Sequence, residues 1–300
     1  SFRRYEEPGL NSRIYWGVET FSDAISSTNL GAHSRSRAAA LAAWDARALR
    51  RYSLSLGVRV ETYRPGRAPV SPSLAGGAWL SPRLKWRAAV ARAFRVPSFT
   101  DLYYRDPVTR GSPDLRPESA WSAESGIHAY FERIEAALTL FQRTERDGID
   151  YVRRPGEAVW QAVNLRRLRM RGLEWELRAR PRSGDTLELA CTLLEGVRKT
   201  LGDVQTRYAV DYPALSTVAQ WQGTLGPGLL VRTRAGAWSR RGRPAYAVWD
   251  GMLARDGARL QPFLHAYNLT STRYEEIAGV PMPGRTIVAG VTLRLRRSPR

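Results

Sequence analysis

Two phenols and two guanidinium groups stand close together at Tyr103, Tyr104, Arg105 and Arg110, and a second such pair follows at Arg273 and Tyr274. Aromatic faces and guanidinium forks suit planar or anionic ligands, metal chelates among them. Other chemistry is hard to build from this chain. His33, His128 and His265 are widely spaced, without a second ligand at metal-binding distance, and Cys191 is the single cysteine. There is no glycine-rich phosphate loop, nucleophile elbow or His-Glu metal motif. Neither an enzyme, a cofactor nor a bound metal is expected.

The charge is large and diffuse. Lys and Arg number 47 against 28 Asp and Glu, for a net charge of +19, and only Lys85 and Lys199 are lysine. Such a surplus is the footprint of a polyanion binder. Here, however, the arginines are scattered through every segment, which fits compositional drift better than a nucleic-acid surface. No nucleic-acid partner is expected, and a steep salt dependence of DNA binding would be needed to restore one.

The elements that carry these residues read as strands. Leu54, Leu56, Val58 and Val60 alternate with Ser53, Ser55, Gly57 and Arg59. Leu173, Trp175 and Leu177 alternate with Glu174, Glu176 and Arg178, and Ile287 to Leu295 repeats the pattern. A period of two gives one apolar and one polar face. Only the Ala-rich stretch Arg37–Arg50 suits a helix about as well. Many runs are about ten residues or longer, against the ~5–6 of ordinary strands and the ~9–11 that a tilted membrane-spanning strand needs. No run approaches ~18 consecutive apolar residues, which excludes a transmembrane helix. The mean hydropathy of −0.40 agrees with a barrel whose alternate side chains face a polar lumen.

Short and long connections take turns. Arg47–Arg50, Ser81-Pro82, Phe131–Arg133, Pro181–Asp185, Leu225–Gly228 and Asp256-Gly257 are tight. Ser22–Arg35, Tyr63–Ser71, Arg95–Pro117, Val152–Glu157, Arg198–Pro213, Ser239–Pro244 and Leu269–Gly284 are longer. An up-and-down membrane barrel has this parity, with turns at one rim and loops at the other. It predicts an all-β antiparallel transmembrane barrel segment of about fourteen strands. Lys85, Arg87, Arg59, Glu135, Glu174, Glu176 and Glu188 then fall on lumen-facing positions, with Gly172 on the same register. Facing lipid, an Arg or Lys would cost ~2–4 kcal/mol at the midplane. Trp79, Trp86, Trp175, Trp221 and Trp238 suit interfacial girdles.

One segment is more specific than any pattern. It runs Ala93-Phe94-Arg95-Val96-Pro97-Ser98-Phe99-Thr100-Asp101-Leu102-Tyr103-Tyr104, then Gly111-Ser112-Pro113-Asp114-Leu115-Arg116-Pro117-Glu118, then Glu124-Ser125-Gly126. This resembles the barrel of TonB-dependent outer-membrane receptors, which carry F-R-x-P-[ST]-[FY]-x-[ED]-L-[YF], G-N-P-x-L-[KR]-P-E and E-x-G in that order. Ser112 stands where the family prefers Asn. Asp147-Gly148-Ile149-Asp150-Tyr151, Asn164 with Arg171-Gly172-Leu173-Glu174, and Asn268-Leu269 with Tyr274 and Met282-Pro283-Gly284-Arg285 follow in family order. The last strand closes on Leu293-Arg294-Leu295 and a basic tail, Arg296–Arg300, where outer-membrane barrels finish on an aromatic residue.

The resemblance implies residues 1–300 as the C-terminal portion of a family barrel of about 22 strands, without its plug domain: a fragment or a truncated gene product. It implies residence in the bacterial outer membrane and uptake of a scarce nutrient such as a ferric siderophore or a cobalamin. Partners would be outer-membrane lipid, the plug, the TonB energy-coupling system acting through the plug, and the metal chelate or other large nutrient. Tyr103, Tyr104, Arg105, Arg110, Arg273 and Tyr274 would meet the ligand from external loops. Lys85, Arg87, Glu135, Gly172, Glu174 and Glu176 would face the plug. The alternative is a passive channel or surface-binding barrel, which would conduct without ligand gating.

Overall fold

The computed structural model describes residues 2–9, 11–49, 51–63, 68–198, 204–207, 212–255, 259–277 and 279–293. The Asp256-Gly257 turn, most of the Arg47–Arg50 and Arg198–Pro213 connections' side chains and the Arg296–Arg300 tail lie outside what is described. The strands are β1 (Phe2–Gly9), β2 (Ser12–Ser27), β3 (Gly31–Leu49), β4 (Tyr52–Thr62), β5 (Val70–Ser81) and β6 (Leu84–Arg95). A single helical turn, α1 (Phe99–Tyr103), precedes β7 (Thr109–Arg110), β8 (Glu118–Tyr130), β9 (Ile134–Arg153), β10 (Trp160–Ala179) and β11 (Thr186–Arg198). Then come β12 (Gln205–Thr206), β13 (Pro213–Thr224), β14 (Leu229–Arg240), β15 (Tyr246–Arg255), β16 (Leu260–Tyr267), β17 (Glu275–Ile277), β18 (Val280–Pro281) and β19 (Thr286–Leu293).

Seventeen strands belong to one sheet, and β17 and β18 form a small hairpin of their own. Among the described residues fifteen strands reach eight residues or more, close to the expected fourteen. Neighbours in sequence pair antiparallel, as in Trp44↔Leu56 and Leu56↔Leu74; the exception is a two-residue parallel contact of β7 with β10. Chain contacts divide the molecule into one unit of residues 1–127, 139–172 and 195–210 and another of 128–138, 173–194 and 211–300.

In the first unit the register gathers Ile14, Trp16, Val18, Trp44, Leu54, Leu56, Val58, Leu74 and Trp86 on one face, all more than a third exposed. The opposite face carries Glu19, Arg37, Arg59 and Glu61. In the second unit Trp249, Leu253, Leu264, Ile287, Val291 and Leu293 are exposed on one face, with Gln220, Gln222, Arg232, Arg234 and Asp250 on the other. No large side chain is fully buried among the described residues. In water each exposed apolar side chain would forfeit ~1.5–3 kcal/mol of burial; hydrocarbon removes that loss, and interstrand bonds satisfy the backbone there. This is the expected inversion of a globular protein.

One open reading is decided and two expectations are corrected. Arg37–Arg50 is strand through Leu49, because its alanines fill close cross-strand positions opposite β2 and β4. The long connection expected over Ser22–Arg35 is only the turn Thr28–Leu30, since β2 and β3 stay paired to Ser27↔Gly31. Trp79 and Trp238 lie on the charged face rather than in a girdle: Lys85 sits 5.2 Å over Trp79, and Trp238 stacks on Tyr246 at 5.4 Å.

Candidate functional site

The connection from β6 to β8 is expected to be irregular because of Pro97, Pro107, Pro113 and Pro117, but it contains a capped helical turn. Ser98 Oγ accepts from Asp101 N at 3.1 Å, and Asp101 Oδ2 accepts from Ser98 N at 2.9 Å, a capping box that starts α1. Arg95 donates to Asp101 at 2.9 Å and also pairs with Glu118, so it ties the exit of β6 to the entry of β8. Glu118 in turn accepts from Ile149 N. Gly111 passes so close that a Cβ would lie 2.8 Å from Asp101 O, Leu102 C and Tyr103 N. The motif that betrays the family is thus mostly scaffold.

Beneath it lies the one buried apolar cluster among the described residues, Leu102, Leu115, Tyr151 and Ala162, with Tyr103, Ile149 and Trp160 packed against it. Asn164 fastens the far side. Its Oδ1 accepts from Arg116 N at 2.8 Å, and its Nδ2 donates to Arg116 O at 2.9 Å and Asp147 O at 2.6 Å. Asp147 lies within β9 at φ +55° and ion-pairs with Arg116.

The four residues proposed from the sequence divide between floor and surface. Tyr103 stacks on His33, ring centroids 3.6 Å apart and 9° from parallel. Tyr104 is half-buried, and its hydroxyl donates to Asp106 at 3.1 Å. Arg105 and Arg110 are exposed and face each other across an antiparallel bridge. Among the described residues neither guanidinium has an ion-pair partner. The N–H groups of Val108 and Thr109 hold the Asp106 carboxyl below its ordinary range and fix the turn between them.

The connection from β16 to β19 is fastened by another asparagine. Asn268 is 3% exposed at φ +49°. Its amide donates to Thr272 O at 2.9 Å and Pro283 O at 3.1 Å, its Oδ1 accepts from Thr272 N at 2.9 Å, and its own N–H donates to Asp250 at 2.8 Å. Arg273 is exposed there, and Tyr274 stacks on Tyr246 at 4.7 Å. Burial pushes the Tyr274 hydroxyl above its ordinary range.

On the charged face Lys85 and Arg87 line a cavity of about 660 Å³ with Asp45, Trp79 and Glu124. Glu135 and Glu176 line another of about 350 Å³ with His128, Tyr130, Arg178 and Glu188. Gly172 and Glu174 share the alternate positions of β10 with Glu176. A network that sequence reasoning missed, apart from Arg59, runs from Arg35 through Asp23, Arg37, Glu61 and Arg59 to Glu19, with contacts of 2.8–3.3 Å. Phe21 lies under Arg37 and Arg59. Arg37 is 24 positions from Glu61 and Arg59 is 40 from Glu19, so only charge parity along each strand could have hinted at it. Among the described residues no acidic, His or Cys group is arranged to hold a metal ion.

Long antiparallel strands with an exposed apolar face and a charged face in each unit, and asparagine-fastened loops, define a class of membrane barrel. The match to the family of TonB dependent receptor-like beta-barrels covers residues 2–293, and the chain belongs to that family, whose members are outer-membrane barrels. Over 89 residues, 30% of this chain and 14% of the relative, it is 28% identical to the vitamin B12 transporter BtuB of Vibrio vulnificus. In fold it resembles the siderophore receptor PirA of Pseudomonas aeruginosa, with a TM-score of 0.79 and 17% identity over 98% of this chain and 54% of that one. It likewise resembles an R480A mutant of the ferric enterobactin receptor PfeA of Pseudomonas aeruginosa, solved with enterobactin, with a TM-score of 0.77 and 18% identity over 97% of this chain and 53% of that one. The chain thus spans about half the length of these solved structures.

Proposed function

We propose that this chain forms wall and outer loops of a receptor in the bacterial outer membrane that takes up a scarce, bulky nutrient, an anionic ferric chelate in particular, under TonB drive. The observation that carries the reading is the exposed Arg105–Arg110 pair on a loop held by a buried core and two ion-paired hinges. Two guanidinium groups with no ion-pair partner among the described residues, on a fixed platform, are prepared for an anion, and little entropy is lost when it binds. Tyr104 supports the same ridge, and Arg273 with Tyr274 offers a second contact of the same kind. The relatives act in the same direction, since their names refer to siderophores and vitamin B12.

The inner face then has a role too. Lys85, Arg87, Glu135, Gly172, Glu174 and Glu176 would meet a plug domain, through which TonB would act. Mixed charge there suits a hydrated, movable partner better than an apolar lining would.

The refolded chain is titrated with a ferric tris-catecholate and with cobalamin. The double variant R105Q/R110Q is expected to bind the ferric catecholate about tenfold more weakly, near 1.4 kcal/mol. Equal affinity of variant and wild type, or a preference for cobalamin untouched by the substitutions, overturns the anionic-chelate reading.

A further inference from the structure

The hairpin of β2 and β3 outgrows the apolar belt. β2 has 16 residues and β3 has 19, against the ~9–11 of a crossing. The surplus lies at the turn end. Along the exposed face of β2, Ile14, Trp16 and Val18 give way to Thr20, Ser22, Ala24 and Ser26. Across the ladder Ser22 pairs with Ser36 and Ala24 with Ser34. Hydroxyl groups gain nothing from hydrocarbon, so beyond Val18 the hairpin stands in water as a post.

The segment 97–105 is laid along this post by three grips. Arg35 donates from Nη1 to Pro97 O at 2.7 Å, and its guanidinium lies 5.1 Å over the Phe99 ring, held by Asp23 at 3.3 Å. Two residues nearer the turn, His33 stacks on Tyr103, the closest and most nearly parallel ring pair among the described residues. At the turn itself Asn29 O accepts from Arg105 N at 3.0 Å. Gly31, at φ +79°, leaves room for the imidazole, since a Cβ there would lie 3.3 Å from His33 Nε2.

The grips differ in what they need from the side chain. Asn29 offers a backbone carbonyl that any residue would supply. Arg35 holds the start of α1, at Pro97 and Phe99. His33 holds Tyr103, two residues before Arg105, and does so through its flat ring alone. That hold matters because guanidinium groups facing each other across a bridge repel. Arg105 and Arg110 keep their places only where the backbone beneath them is fixed.

We propose that His33 is a positioning residue for the ligand ridge: through Tyr103 it fixes Arg105 opposite Arg110 before an anion arrives. The proposal rests on the anionic-chelate reading of that ridge. Without the stack, the ridge is ordered only as the anion binds, which lowers affinity although no ligand contact has been removed.

The refolded chain is titrated with the ferric tris-catecholate as wild type, H33A, H33F, R105Q/R110Q and the triple variant H33A/R105Q/R110Q. H33A is expected to bind about fivefold more weakly than wild type, and H33F, which restores a flat ring, to come within about twofold of it. In the R105Q/R110Q background H33A is expected to have no further effect, because no guanidinium pair is left to position. Hydrogen exchange over 99–110 is expected to quicken in H33A and to recover in H33F. Wild-type affinity in H33A overturns the positioning role. An equal loss from H33A in both backgrounds also overturns it and assigns His33 to general stability. A loss that H33F does not restore overturns the stack as its means. Should R105Q/R110Q bind like wild type, the anionic-chelate reading falls, and the positioning of its ridge falls with it.

Discussion

Two loops of this barrel use the same device and depend on it differently. In the 96–117 loop Asn164 bridges Arg116 and Asp147, but the loop also rests on Leu102, Leu115, Tyr151 and Ala162 and on the Arg95 ion pairs. In the 268–285 loop Asn268 is the central fastening, with the Tyr246–Tyr274 stack and the Arg285 contact to Leu269 O beside it. A carboxamide can satisfy several loop carbonyls and N–H groups at once, which few side chains of its size can do. Where an apolar core backs the amide, the fastening is redundant; where it does not, the loop's order hangs on one residue.

The sharpest break in this comparison is expected from N268A. It removes the amide that ties Thr272 and Pro283 together from buried Asn268 and forces alanine into a left-handed conformation, a loss of about 3 kcal/mol. N268G relieves the conformational part and should recover about 1 kcal/mol, whereas N164A should cost only about 1 kcal/mol. Hydrogen exchange across the two loops reads all three; equal losses for N268A and N164A would refute the asymmetry.

Next in size is G111A. Its methyl group would meet backbone atoms of α1 that cannot rotate away, at a cost of about 2 kcal/mol. The first loop should then open to proteolysis while the 268–285 loop keeps its protection. Unchanged cleavage would mean that α1 shifts freely.

The smallest effect is a pH dependence confined to the first loop. The Asp106 carboxylate is held below its ordinary range by Val108 and Thr109, so its contribution is present above ~3.9 and fades as pH falls through the lowered value. Protection of the 105–110 turn should weaken below about pH 4 in wild type and show no such step in D106N. A step that survives in D106N assigns the titration to another group.

Much of this was legible beforehand, for physical reasons. The Leu54–Val60 and Ile287–Leu293 alternations revealed both faces, because a strand's side chains can point only two ways. The Arg95–Glu118 motif named the family, because its residues cap, pair and pack at fixed spacing. The same local view put Trp238 in a girdle and gave Ser22–Arg35 a long loop. An indole can stack inward or anchor outward from similar sequence, and polar residues at Ser22–Arg35 look like loop until their partner strand is known.

Alternation, connection parity and motif were set by the chain itself, since each depends on neighbours a few residues away. The run of charges from Arg35 to Glu19, the partnering of Tyr103 with His33, and the pairing of exposed Arg105 with Arg110 across a bridge were decided only by folding. Each depends on which residue from a distant strand arrives opposite, and register, set by the whole ladder, determines that.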